Sequence, residues 1–152
     1  MTIKQGPVRL SIDVPAEPSQ LRLLTGVVRR CLVDGAGIYP SDATYHQIQL
    51  AVREACSNVV KHSYAAAPAG LLGLRLRIRR GRVLVQIEDR GLPMPKRELL
   101  RMAASKEAPP AGRKEGGFGL RLIKSTMDKV VYGRKANGVN VVRLYKRLGR
   151  AA

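Results

Sequence analysis

Two polar side chains four residues apart, Glu54 and Asn58, sit in the stretch QLAVREACSNVVKHSY, from Gln49 to Tyr64. Leu50, Ala51, Ala55, Val59 and Val60 recur around them at helical spacing, so this segment is expected to form an amphipathic helix. Positions i and i+4 share a helix face, which directs a carboxylate and a carboxamide into the same space. A carboxylate so placed has the chemistry of a general base, and a carboxamide oxygen suits a hard cation. The pair also reads as two polar residues on a solvated helix face, and the spacing alone does not separate these readings.

Two glycine-bearing segments add further candidates. In VLVQIEDRGLPMP, Val83, Val85 and Ile87 alternate as in a half-buried strand, which ends at Asp89-Arg90-Gly91 and is stopped by Pro93 and Pro95. An Asp at the carboxyl end of a strand can accept a hydrogen bond from a ligand amine, or simply close an Asp-x-Gly turn. Further on, Gly112 to Leu120 reads GRKEGGFGL and leads into a segment with Leu120, Ile123 and Met127 at helical spacing. A glycine loop feeding a helix N-terminus offers free backbone N–H groups and the positive end of a dipole, a cradle for phosphate. Arg113 and Lys114 precede the glycines, either to meet phosphates or as solvated loop charges.

The order of these pieces, a helix with E-x-x-x-N, a strand with D-x-G, then a glycine loop into a helix, resembles the ATP-binding domain of the GHKL (histidine kinase-like) superfamily. The segments LAVREACSNVVKHSY and GGFGLRLIKSTMDKVVY are most similar to the anti-sigma-factor serine kinase branch, and the likeness runs from about Ile12 to Leu148. No Walker A loop is present. The resemblance implies a Bergerat ATP-binding fold, with ATP and Mg²⁺ as cofactors. It implies Glu54 as general base toward a protein serine and Asn58 as the Mg²⁺ ligand. Asp89 would accept the adenine amino group, with Gly91 permitting the turn beneath the base. Gly116, Gly117 and Gly119 would line the lid over the phosphates, with Leu120 at the nucleotide, and Asn140 would lie near the adenine where the family usually has Thr. Pro93 stands where the superfamily's D-x-G-x-G box has its second glycine, so the adenine-side loop must be shaped differently. By the same resemblance the substrate is a STAS-domain anti-anti-sigma protein, the regulated partner is a sigma factor, and the protein is a homodimer. A non-catalytic partner-binding module on the same fold is the alternative.

At 152 residues the chain is expected to form a single histidine kinase-like domain over 1–152. No apolar run approaches the roughly 20 residues that cross a bilayer, and MTIKQGPVRLSIDV lacks an apolar signal core, so a cytoplasmic location is expected. Cys31 and Cys56 are the only cysteines and are expected as reduced core thiols. His46 and His62 lack zinc-ligand spacing and read as ordinary helix residues, although His62 falls four past Asn58. Lys and Arg number 28 against 11 Asp and Glu, a net charge of +17, which suggests an anionic partner. Arg75, Arg77 and Arg79 alternate onto one face of a strand, with Arg80 and Arg82 beside them and Arg143, Lys146, Arg147 and Arg150 as a second cluster. These form a solvated basic face or contact an acidic protein or nucleic acid. Aromatics are 4% with no Trp, so stacking platforms are scarce, and no nucleic-acid-binding motif is evident.

The elements expected to position these residues are a strand over Val8 to Val14, a helix from a Ser19 cap to Leu32, and the Glu54 helix from Ser41-Asp42. The turn AAAPAG follows, then two strands joined at Arg80-Gly81-Arg82. A short helix over Lys96 to Lys106 comes next, then the glycine lid, a helix after Gly119, and two strands turning at Asn137-Gly138. Strands and helices do not alternate regularly. The expected class is therefore α+β: a two-layer sandwich of a mixed, mostly antiparallel sheet with helices on one face.

Overall fold

The computed structural model describes residues 6–64, 70–97 and 118–149. Five strands form one sheet: β1 (Val8–Pro15), β2 (Leu71–Arg79), β3 (Arg82–Asp89), β4 (Lys129–Arg134) and β5 (Asn140–Arg147), in the order β1-β2-β3-β5-β4. The sheet is antiparallel in the main as expected, and among the described residues all four pairings are antiparallel, with no parallel pair to make it mixed. Among the described residues three helices, α1 (Leu21–Arg30), α2 (Ala43–Asn58) and α3 (Phe118–Thr126), cover one face. Alternation explains why there is one covered face: Leu72, Leu74, Leu76 and Ile78 of β2 point into the core with Val83, Val85 and Ile87 of β3, while the alternate positions carry Gly73, Arg75 and Arg77 on β2 and Leu84, Gln86 and Glu88 on β3. Leu24 and Val28 of α1, Ile48 and Val52 of α2, and Ile123 of α3 complete that core from above.

Helix ends depart from expectation in informative ways. Ser19 does not cap α1: its hydroxyl donates to Glu17 instead, and Pro18 opens a 3₁₀ turn (Pro18–Gln20) that leads into the helix. Both α1 and α2 run on into a wide π turn, Cys31–Gly35 and Val59–Ser63. Cys56 is buried as expected, and burial pushes its thiol up to about 12, whereas Cys31 is only half-buried. The proposed AAAPAG turn (except Gly70), the helix from 98 onward, and Gly112 to Gly117 lie outside the described residues. Among the described residues no helix is long and apolar enough to cross a membrane.

The β2–β3 hairpin turns on Arg80 (φ 51°) and Gly81 (φ 68°), both left-handed, the backbone that a tight two-residue hairpin requires. Two glycines therefore predict opposite outcomes. Gly81→Ala puts a Cβ on a left-handed residue and should cost about 1–2 kcal/mol. Gly26 lies within α1 with open space around it, so Gly26→Ala should gain about 0.4–1 kcal/mol. Urea denaturation of both variants reads the two signs, and a loss at Gly26 or no loss at Gly81 would contradict these backbone assignments.

Candidate functional site

A cavity of about 500 Å³ opens where α2 ends, between the carboxyl end of β3, the 92–95 segment, α3 and the β4–β5 hairpin. Its walls are mainly apolar, from Val59, Ile87, Met94, Leu120 and Val142, with polar groups at a few defined points. That composition suits a small ligand that is largely apolar and carries a few polar groups.

Asp89 is the one buried charged residue among the described residues, at 7% exposure. Alternation carries it to the core face at the last position of β3, where no apolar neighbour follows. Its Oδ1 accepts hydrogen bonds from the Gly91 N–H and from the Asn140 Nδ2, each at 2.9 Å. Asn140 faces it across the β3–β5 register, and the same Nδ2 reaches the Gly91 carbonyl at 2.9 Å. One amide thus ties β5 to the strand end and to the loop after it. Asp89 Oδ2 takes no hydrogen bond among the described residues, so the second oxygen is left for a donor in the cavity.

Gly91 does not line the cavity, and its φ lies outside the left-handed region, so the turn does not demand glycine for its dihedral. The constraint is close approach. A Cβ at Gly91 would sit 2.1 Å from the Ser63 carbonyl oxygen. That oxygen accepts the Leu92 N–H at 2.7 Å, and the π turn after Asn58 is what brings it there. Tyr64 fastens the same junction: its hydroxyl donates to the Leu71 carbonyl and accepts from the Arg90 N–H, both at 2.9 Å. With the Gly91 and Leu92 amides already committed, the N–H that Pro93 lacks is not needed for this loop. Pro93 lies on the wall without closing the cavity.

Asn58 lines the cavity from the last position of α2, as Leu120 does from α3. Glu54, one turn earlier, is half-buried and is not on the wall; among the described residues its carboxylate makes no ion pair or hydrogen bond. Gly119 falls in the first turn of α3, while Gly116 and Gly117 lie outside the described residues.

Four buried polar side-chain atoms among the described residues have no partner, and three of them, Asn58 Nδ2, Asn140 Oδ1 and the Tyr132 hydroxyl, belong to residues lining this cavity. Buried polar atoms are nearly always hydrogen-bonded, so their concentration here points to a polar ligand. Tyr132 was not singled out from the sequence. The signal was there in the alternation of KVVYGRK, which puts Val130, Tyr132 and Arg134 on one face. Burial pushes its phenol pKa up, so the group stays a neutral donor and acceptor. No cluster of three His, Cys, Asp or Glu exists among the described residues to hold a metal unaided. A lone carboxamide still fits Mg²⁺, which takes one or two protein oxygens and completes its shell with phosphate and water.

Residues 14–146 match the family model described as "Histidine kinase-like ATPase domain". The serine-protein kinase RsbW of Halalkalibacterium halodurans is 38% identical over 82% of this chain and 75% of its own length. The RsbW of Bacillus subtilis is 29% identical over 80% and 75%. The anti-sigma F factor of Geobacillus kaustophilus is 27% identical over 69% and 70%. Among solved structures, the SiaB–SiaC complex from Pseudomonas aeruginosa contains a chain that superposes with a TM-score of 0.65 at 16% identity, covering 93% of this chain and 90% of that one. The histidine kinase domain of the blue-light activated kinase EL346 from Erythrobacter litoralis gives 0.56 at 19% identity, covering 89% and 62%. Both likenesses are of fold.

Tyr132→Phe removes an unpartnered hydroxyl and leaves the ring, so the melting temperature should hold or rise. If that hydroxyl meets the ligand, ATP affinity should fall about tenfold, the worth of one hydrogen bond of about 1.4 kcal/mol. Unchanged affinity by calorimetry would remove Tyr132 from the ligand's contacts.

Proposed function

This chain belongs to the histidine kinase-like ATPase domain family, and we propose that it is a serine protein kinase of the anti-sigma-factor kind. On this reading it uses ATP with Mg²⁺ to phosphorylate a serine of a STAS-domain anti-anti-sigma protein and holds a sigma factor when that protein is unavailable. It works in the cytoplasm as a homodimer. The observation that carries the proposal is the uncommitted Glu54 carboxylate, one helical turn from an Asn58 that lines the cavity. Relatives named as serine-protein kinases and as an anti-sigma factor support the substrate class.

The adenine amino group donates to Asp89 Oδ2, with Asn140 holding that carboxylate in place. Apolar side chains sandwich the base and exclude water. Asn58 Oδ1 would hold Mg²⁺, which when bound would supply charge neutralisation on the triphosphate. By the family resemblance Gly116, Gly117 and Gly119 would belong to the lid over the phosphates, and a glycine loop leading into a helix N-terminus favours anions. The substrate serine oxygen attacks the γ-phosphorus, the bond from that phosphorus to the β–γ bridging oxygen breaks, and ADP leaves with the electron pair. Glu54 takes the serine proton.

Glu54→Ala should slow transfer from ATP to the serine by about 10²–10⁴-fold, the usual contribution of a general base, while leaving ATP affinity in place. Radiolabel transfer and calorimetry read the two quantities separately. Equal transfer rates for variant and wild type would remove Glu54 from this role, and no transfer to any STAS partner would favour the binding-module alternative. Asn58→Ala should weaken ATP binding in Mg²⁺ far more than in EDTA, and an unchanged magnesium requirement would contradict its assignment.

A further inference from the structure

The helix-free face of the sheet carries an unusual register. Reading across the strands, Arg9 lies directly opposite Arg77, Arg79 opposite Arg82, and Arg82 opposite Arg147. These five side chains are exposed, and none has an ion pair or side-chain hydrogen bond among the described residues. Like charges directly opposed across strands are destabilising, here three times over in one corner. The other end of the same face is different: Arg75 is bridged to Asp13 at 2.8 Å and approached by Glu88 at 3.8 Å, and Lys135 reaches Glu88 at 3.2 Å. The paired acids of this face are gathered there, and among the described residues none is paired with an arginine side chain of the corner. Asp128 bonds the Arg147 backbone N–H and lies 3.7 Å from Lys146, and Asp42 lines the adjoining cleft; no ion pair joins either to the five.

We propose that this arginine corner binds the sugar–phosphate backbone of a nucleic acid, independently of sequence and of the nucleotide cavity at the opposite end of β3. Three features favour this occupant. Arginines on neighbouring strands are about 5 Å apart, and those two apart on one strand about 7 Å, an extended one-sign lattice suited to a chain of phosphates. Arg79, Arg82 and Arg147 also border an open cleft of about 1000 Å³ at that end, far wider than one small anion needs. Third, the corner lacks an apolar anchor: Leu84 and Tyr145 beside it are half-buried, and Lys129 lies over the Tyr145 ring at 5.7 Å. A protein partner ordinarily needs an apolar centre and a membrane surface needs inserted apolar side chains, whereas nucleic-acid interfaces are strongly basic and polar. With no free aromatic platform, contact is to phosphate rather than to bases.

The test is fluorescence anisotropy with a labelled 20-nucleotide single strand and the duplex of the same sequence, from 50 to 200 mM salt. Five phosphate contacts predict an affinity falling about 10²–10³-fold over that range, with little change when the sequence is scrambled. Arg77→Ser/Arg79→Ser/Arg82→Ser should flatten the logarithmic salt slope by about 2–3, while Arg22→Ser/Arg29→Ser/Arg30→Ser on α1, equal in charge removed, should leave it. Melting temperature and ATP binding check that each variant is folded. The wild-type salt slope stands whether or not the variants fold. Absence of wild-type binding to both probes would overturn the proposal. So would equal loss in the two triple variants, or binding only to poly-glutamate or to phosphatidylserine vesicles. Preference between strand and duplex identifies the form of nucleic acid bound.

Discussion

A carboxylate taken out of water must be held by hydrogen bonds, and at Asp89 that requirement organises the site around it. Hydrogen bonds to a charged acceptor contribute about 1.5–3 kcal/mol each, and Asp89 takes two, from the Gly91 backbone and the Asn140 amide. Satisfying it fixes the end of β3, the loop that leaves it and the start of β5 in one geometry. The loop can close only because Gly91 has no Cβ, which lets it lie against the Ser63 carbonyl at the end of the α2 segment. The π turn that presents that carbonyl follows immediately on Asn58. Asp89 and Asn58, far apart in the chain, are therefore set on one cavity by a continuous run of backbone contacts.

The sheet divides its labour by face and by end. Apolar alternation on one face builds the core under three helices and leaves a cavity at the end where β3 gives out and Asp89 replaces an aliphatic residue. On the other face the same alternation displays charge. Neutralised pairs gather near the Asp89 end, and opposed arginines gather at the far end. The net charge of +17 is thus not spread evenly as a solubilising coat.

Much of this was legible in the sequence because periodicity carries it. The strand alternation of VLVQIED and LRLRIRR fixed both the core residues and the arginine face, and the i, i+4 spacing placed Glu54 and Asn58 one turn apart on α2. Asn58, Asp89, Leu120 and Asn140 all line one cavity. What escaped depends on tertiary contact. The reason Gly91 must be glycine lies with Ser63, which no local pattern reveals. Ser19 looked like a cap, but Pro18 starts a tighter turn first. Tyr132 shares its cavity wall with residues of α2 and the end of β3 that are distant in sequence, and the Arg–Arg oppositions exist only once strand register is known. Pro93 signalled a differently shaped loop; with the neighbouring amides already bonded, the loop does without that N–H.

The central claim is that Asp89, held by Asn140, reads an exocyclic amine at the end of an apolar slot. Calorimetric titration in Mg²⁺ of ATP against purine riboside triphosphate, which lacks only that amine, tests it most directly. The account predicts that ATP binds and that the analogue binds at least about 10-fold more weakly, since the buried carboxylate is then left without its donor. Equal affinity for the two, or no ATP binding at millimolar concentration, would contradict it.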